Sequence, residues 1–351
     1  MMNKIIVGSD KKSTVFIGSN FLWDIGFYIP TQHSNSRIAI VTDDIVAKIH
    51  LNTVISSLEK YGFSPVIFVM QHGKENKTPT MLSQIIKFFS INMITKSDLV
   101  IALGGGTVHD ITGYASAIYN LGINFISIPT TFSCMINNSI GGSVYLNTPY
   151  RINQIGMVHF PVSVFIDIDT LSTTPTYQQN VISPQAVKYG FIFDKRVLSV
   201  QLSTSEPELL LNYITQLIRI KNNILFINST IINPLILDFG TTIGEIIETH
   251  SNYKVSTDEA MAIGMAMMTR LSEQKQLTRS GTYQMLLERL KKINYQVQYE
   301  LPYDYFMKMI MSDKKFDGDV LNIIILKEIQ KPQIHKINRK EISNFFEDLF
   351  K

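Results

Sequence analysis

A single cysteine, Cys134, occurs in a chain of 351 residues. No internal disulfide framework can be built from it, and such sparse use of thiols suits a reducing compartment, so a cytoplasmic location is expected. With no nucleophile motif around it, Cys134 reads as a packing residue. Charge of one sign is scarce as well. Thirty-two Lys and Arg against 29 Asp and Glu leave a net charge of +3. The basic residues form no dense run interleaved with aromatics, which removes the usual footprint of a nucleic-acid binder. Long apolar runs are also missing. Asn, Asp or Lys interrupts each stretch before it reaches bilayer length, and no membrane contact is expected. The first residues show no apolar core ahead of a small-residue cleavage site, so no signal peptide is expected either.

What is present is an ordinary globular composition, 45% hydrophobic, in a chain long enough for two cores. Short strands are predicted at residues 4–7, 14–17, 37–42, 65–70, 99–103, 124–128 and 164–167. Helical spacing is predicted between several of them, at 45–61, 78–90 and 107–120. Strands alternating with helices point to a parallel, doubly wound sheet. Beyond about residue 173 the pattern turns helical, over 181–200, 208–228, 235–249, 257–274, 281–293 and 303–311, with one late strand or hairpin at 321–326. The expectation is therefore an α/β domain over 1–172 and a mostly helical domain over 173–351.

The stretch at residues 98–175 organises the rest. Its apolar strand breaks into Gly104, Gly105 and Gly106, and a helix follows. Strand, glycine turn and helix start together make a phosphate cradle, because backbone N–H groups at a helix N-terminus meet an anion that no Cβ holds away. A glycine triplet follows many strands and is not the GxGxxG fingerprint. Read in order, however, GGGxVxD, Ile-Pro-Thr-Thr, SxGG, a downstream Asn, IDxDTLxTxP, KYG, DFG and EAxxxGM resemble the 3-dehydroquinate synthases and the wider sugar phosphate cyclases. The resemblance runs from Val41 to about Lys315.

That resemblance implies a dehydroquinate-synthase-like fold, with a Rossmann-like dinucleotide-binding half, a helical half and pairing as a homodimer. It implies NAD bound across the first half, at positions that here are Asp43, Lys77, Gly104, Gly105, Gly106, Asp110, Thr130 and Thr131. A carboxylate after a strand suits a ribose diol, a lysine a phosphate, and threonine hydroxyls ribose or amide groups. The acidic position of the family's GExxK pattern is Lys74 here. His109, in the glycine-rich turn, is a candidate for touching the cofactor phosphate. The resemblance further implies a cyclisation assisted by a divalent metal, usually zinc, acting as a Lewis acid.

The implied metal ligands, a Glu and two His, fall on Gln185, Thr241 and Thr257. A neutral amide and two hydroxyls make a poor zinc site, and zinc is not expected. A further family His is Glu245 and a family Asn is Asp238. Basic positions have become Leu121, Ser143, Ile152 and Pro234, and a family Asp is Asn137. Loss of these cations removes anion affinity that no neutral neighbour restores. Lys188, Lys221, Asn153 and Lys315 remain as candidates for gripping an anionic substrate, with cleft-rim lysines as the plainer reading. Asp238, Glu245, Asp258 and Glu259, with His250 nearby, could instead hold Mg²⁺ or Mn²⁺ through oxygen ligands, since Thr241 and Glu245 are predicted to share a helix face with Asp238 one turn earlier. The plainer reading of these acids is a solvated or salt-bridged set. The expected function is a relative that binds NAD and acts on a sugar- or polyol-like molecule, but does not work as a 3-dehydroquinate synthase. The alternative is a catalytically inactive paralogue that supports an active partner. A metal-dependent alcohol dehydrogenase fits less well, because no Asp-and-His ligand set is visible.

Overall fold

Two strands are aliphatic almost without alternation: Ile38–Asp43 reads IAIVTD and Leu99–Gly104 reads LVIALG. Such runs suit strands covered on both faces. In the computed structural model, which describes residues 2–174, 182–200, 206–228, 232–295 and 297–350, they are adjacent interior strands of a seven-stranded sheet. In chain order its strands are β1 (Asn3–Gly8), β2 (Lys12–Gly18), β3 (Ile38–Asp43), β4 (Val66–Met70), β5 (Leu99–Gly104), β6 (Asn124–Pro129) and, after the two-stranded hairpin β7 (Ser143–Leu146) and β8 (Ile155–Val158), β9 (Ser163–Asp167). The spatial order is β1-β2-β9-β6-β5-β3-β4. Only the β1–β2 pairing is antiparallel within this sheet. Ile38, Ile40, Leu99 and Ile101 bury one face with Val54 and Leu58, whereas Ala39, Val41, Val100 and Ala102 bury the other with Ile85, Phe89 and Ile111.

The chain runs outward from β3 to β4, then crosses back to β5 on the other flank of β3. That reversal opens a crevice beyond the carboxyl ends of β3 and β5, the place where doubly wound sheets bind ligands. Asp43 ends one of these strands and Gly104 the other.

Contacts divide the chain into two units: Met1–Gln178 with Leu202–Phe226, and Gln179–Gln201 with Ile227–Lys351. A single cut at 172/173 does not follow this division. The helix Pro207–Asn222 returns to the first unit, where Asn222 Oδ1 accepts the Gly8 N–H at 3.0 Å and Thr215 Oγ1 accepts from Asn3 Nδ2 at 3.2 Å.

In the second unit, helices Thr241–His250, Thr257–Gln274 and Tyr303–Ile310 cover a three-stranded sheet, β10 (Phe316–Asp317), β11 (Val320–Glu328) and β12 (Lys331–Asn338). Ile243, Ile247, Leu271, Phe306, Leu321, Ile323 and Phe346 share its core. Two expected helices are shorter than their apolar spacing suggested. The one expected at 181–200 is helical over Pro184–Ile192, and a separate 3-10 turn at Lys195–Ser199 follows; position 181 lies outside the described residues. The one expected at 235–249 is broken at Gly240, which sits at φ +82° between a 3-10 turn at Pro234–Asp238 and the helix Thr241–His250. Glycine is needed there for a second reason: a Cβ at Gly240 would lie 2.9 Å from the Met265 nitrogen and 3.0 Å from the Met261 carbonyl. A Cβ at Gly264 would lie 2.1 Å from the Gly240 carbonyl, so the helix Thr257–Gln274 packs backbone against backbone at this point.

Candidate active site

In the first unit the glycine turn leaves the helix Gly106–Ile118 without a side-chain cap. Its first N–H groups therefore have no intrahelical acceptor and point toward the crevice end of β5. Thr130 N–H donates to the Gly104 carbonyl at 3.0 Å, which holds the Thr130–Thr131 pair beside the turn. A Cβ at Gly105 would come within 3.2 Å of the Thr131 methyl, and one at Gly106 within 3.1 Å of the Asn138 amide. The backbone is bare on this side because its neighbours already stand close. Asp43 caps the following helical segment, with Oδ1 accepting from Ile45 and Val46 N–H at 3.0 and 2.9 Å.

Behind the turn lies a buried polar network. Lys77 Nζ donates to Asp110 Oδ2 at 2.5 Å and to Asn153 Oδ1 at 2.6 Å. Lys77 and Asp110 are both almost fully buried. Asn138 Nδ2 reaches Asp110 Oδ1 at 3.4 Å, the outer limit of a hydrogen bond. Asn147 fixes the loop that carries Asn153: its Oδ1 accepts the Asn153 N–H at 3.0 Å, and its own N–H donates to the Lys77 carbonyl at 2.8 Å. Lys221, from the returning helix, donates to both the carbonyl and Oδ1 of Asn137 at 2.6 Å. The structure thus joins two expected cofactor residues, Lys77 and Asp110, to the expected substrate residue Asn153. Asn138 and Asn147 join the same network without having been singled out, since single amides in irregular segments carry no periodic signal.

His109 differs from its expectation. It is buried, 1% exposed, with Nδ1 2.8 Å from Ser127 Oγ and its ring against Phe125. It therefore faces β6, not the cradle. Burial pushes its pKa down to about 4; the charge of Asp110 opposes this, while Lys221 and Lys77 reinforce it. Cys134 is buried, and burial pushes its thiol pKa up, as suits a packing residue.

In the second unit the helix Pro184–Ile192 presents Gln185, Lys188 and Tyr189 as buried side chains. Lys188 Nζ donates to the Leu237 carbonyl at 2.8 Å. Burial lowers its pKa to about 8; Asp238 and Asp258 oppose the shift and Lys315 adds to it. Lys315 is itself buried, with Nζ 3.8 Å from Asp313 Oδ1. The expected pair Lys188 and Lys315 thus shares one electrostatic neighbourhood.

The three positions that the resemblance assigns to a metal do not fit one. Gln185 brings a neutral amide. Thr241 Oγ1 donates to the Asp238 carbonyl at 3.0 Å, and Thr257 Oγ1 donates to Glu248 Oε1 at 3.0 Å. The alternative oxygen-ligand set is spread over other tasks. Glu245 Oε1 accepts from Lys314 Nζ at 2.9 Å, Glu259 closes a capping box with Ser256, and His250 Nδ1 lies 2.6 Å from Tyr299 Oη. Asp238 belongs to the 3-10 turn, not to the helix of Thr241 and Glu245, because Gly240 breaks the stripe that would have aligned them. Among the described residues, no group of three or more His, Cys, Asp or Glu is placed to hold a metal ion. Of the lost basic positions, Ile152 is buried and Leu121 is 92% exposed at φ +62°.

Residues 67–181 match the family model described as 3-dehydroquinate synthase N-terminal, and residues 184–316 the model described as 3-dehydroquinate synthase C-terminal. A 3-dehydroquinate synthase of Clostridium kluyveri is 32% identical over 343 residues, covering 96% of each chain. Among solved structures, 2-deoxy-scyllo-inosose synthase complexed with carbaglucose-6-phosphate, NAD⁺ and Co²⁺ superimposes with a TM-score of 0.85 at 20% identity, covering 99% of this chain and 100% of the other. The 2-epi-5-epi-valiolone synthase of Streptomyces hygroscopicus subsp. jinggangensis, with NAD⁺ and Zn²⁺ bound, gives a TM-score of 0.82 at 17% identity, covering 99% of both chains. The two-part family match and the near-complete alignment at 32% identity agree: this chain belongs to the 3-dehydroquinate synthase family.

Proposed function

We propose that the chain binds a nicotinamide dinucleotide in its first unit and acts on a sugar- or polyol-like small molecule, without performing the standard 3-dehydroquinate synthase reaction. The observation that carries the first half is the bare glycine turn at an uncapped helix start, backed by the buried Lys77–Asp110–Asn153 network. The turn offers N–H donors to a pyrophosphate, Asp43 at the neighbouring strand end offers a carboxylate to a ribose, and Thr130 and Thr131 line the turn. Two structurally similar proteins carry NAD⁺, which supports the same ligand class here. The second half rests on Gln185, Thr241, Thr257, Ser143, Ile152 and Pro234, which replace charged or metal-binding groups of the family pattern. Lys188, Lys221, Asn153 and Lys315 are the groups proposed to hold what anionic character the substrate keeps. A homodimer and a cytoplasmic location belong to the same proposal.

The same replacements favour a second reading, an inactive paralogue that supports an active partner. Calorimetric titration of nucleotide-stripped protein with NAD⁺ and NADP⁺ separates the two. Micromolar binding supports a working redox site, and no binding at millimolar cofactor moves the search to protein partners. Turnover of the usual seven-carbon phosphate at rates typical of the family would overturn the claim that the standard reaction is lost.

A further inference from the structure

We propose that the first unit pairs with a second copy of this chain through an apolar patch at the C-terminal ends of the helices Pro79–Ile91 and Gly106–Ile118, far from the glycine turn. The inference rests on the homodimer reading and names the surface that such a pair would use. Segments at these two helix ends touch. The Phe89 and Tyr119 rings lie 5.4 Å apart, edge to face, Ser90 Oγ is 3.3 Å from Tyr119 Oη, and Asn120 Nδ2 reaches the Ile94 carbonyl at 3.5 Å. Around this seam Ile91, Met93, Ile118 and Leu121 are 67, 66, 44 and 92% exposed. Val158, also exposed, flanks them, since the next residue, His159, has Nε2 2.9 Å from the Ile123 carbonyl. A standard interface buries about 800 Å² on each partner, and side chains left this bare supply on the order of 600 Å² of it.

Met93 and Leu121 are held in a costly conformation as well, at φ +54° and +62°. Among the described residues, the other non-glycine positions with positive φ are Asn, Gln or Tyr. A left-handed backbone at a bulky aliphatic residue costs free energy that Asn or Gly would avoid. In a lone copy nothing offsets that cost, because both side chains face water. In a pair the same turns drive them into the second copy. The patch also carries both signs of charge, which suits pairing with itself. Both helices turn their last carbonyls, the negative ends of their dipoles, toward it. Cations stand at its rim: Arg37 Nη1 donates to the Met93 carbonyl at 2.7 Å, Lys87 lies one turn before Ile91, and Lys96 follows Met93 in the same loop, both lysines exposed. The carboxylates between positions 76 and 166, Asp98 and Asp110, are buried, so pairing strips water from no acid of this stretch.

Sedimentation equilibrium of the full chain tests the assignment. The wild type should be a dimer at micromolar concentration. Ile91→Asp combined with Leu121→Asp sets carboxylates of both copies into the contact and should weaken association at least about a hundredfold, the loss expected of two central anchors. Leu121→Asn removes the apolar knob without adding charge, suits the left-handed turn, and should weaken the dimer while the circular dichroism spectrum stays that of the wild type. Val69→Asp, on the open edge strand β4 where Val69 is also exposed, should leave the dimer intact. A dimer unchanged in both patch variants, or lost only in Val69→Asp, overturns this surface and leaves the homodimer reading standing. A wild type that stays monomeric at submillimolar concentration overturns both. If that monomer binds vesicles of phosphatidylserine and phosphatidylcholine, the patch is a lipid surface instead. Should the double variant not fold, Leu121→Asn decides.

Discussion

Breaking a buried ion pair by removing one partner leaves a charge with neither water nor counter-ion, and Lys77 with Asp110 stands in that position. Lys77→Met should cost about 3–5 kcal/mol in urea unfolding, and Lys77→Met with Asp110→Asn should recover part of it. A single variant as stable as the wild type would mean that water reaches Asp110. His109 makes a second residue-scale prediction. In the unfolded chain the imidazole takes its proton near pH 6.5, but in the fold only near pH 4. The unfolded state therefore binds more protons across that window. Stability is full above about pH 6.5 and falls as the pH drops toward 4, by at most about 3 kcal/mol from this group. Burial lowers His50 and His159 in the same direction. Unfolding free energies at about pH 7.5 and about pH 5 should differ in the wild type and differ less in His109→Gln; equal slopes in both proteins would remove His109 as the source.

Helices in the second unit approach each other through glycine. Gly264 faces Gly240 and Gly244 so closely that a Cβ would meet the Gly240 carbonyl at 2.1 Å and the Gly244 nitrogen at 2.8 Å. Both contacts are backbone, which cannot swing away, so Gly264→Ala should destabilise by about 1–3 kcal/mol or more, read as a lower melting temperature. An unchanged melting temperature would show that the two helices can slide apart freely. Spacing of apolar residues ran straight through Gly240 and predicted one helix over 235–249, because periodicity reports which side is buried and not where φ turns positive. The hairpin β7–β8 went unread for the opposite reason. Each of its strands is four residues long, too short for alternation to stand out.

Ligand binding should act on the molecule as a whole. A dinucleotide that binds only the folded chain stabilises it by mass action, about 2.7 kcal/mol at a hundredfold excess over its Kd. NAD⁺ should therefore raise the urea midpoint of the intact protein. Gly105→Ala keeps an ordinary backbone conformation, φ −78° and ψ −170°, but places a methyl 3.2 Å from the Thr131 methyl, against the Thr130–Thr131 pair that lines the turn. It should leave stability in the absence of ligand within about 1 kcal/mol and abolish most of the NAD⁺ effect. The same NAD⁺ stabilisation in Gly105→Ala would move the dinucleotide away from the turn.

Much of the architecture was legible before any coordinates, for physical reasons. Runs such as IAIVTD and LVIALG are buried on both faces wherever they occur, and strand–helix alternation admits few topologies, so the parallel sheet and the glycine turn at its crevice followed from residue order. The absence of charged ligands at 185, 241 and 257 was equally plain, since side-chain chemistry needs no fold to be read. Only the tertiary structure could decide which polar groups meet. Lys77, Asp110 and Asn153 are distant in sequence and come together because a sheet edge loop, a helix and a hairpin loop converge. His109 turned from cradle candidate to buried partner of Ser127 because a residue one step along a helix points tens of degrees away from its neighbour. The return of the helix Pro207–Asn222 to the first unit was likewise invisible in periodicity: an amphipathic helix declares that it has a partner, and not which core supplies it.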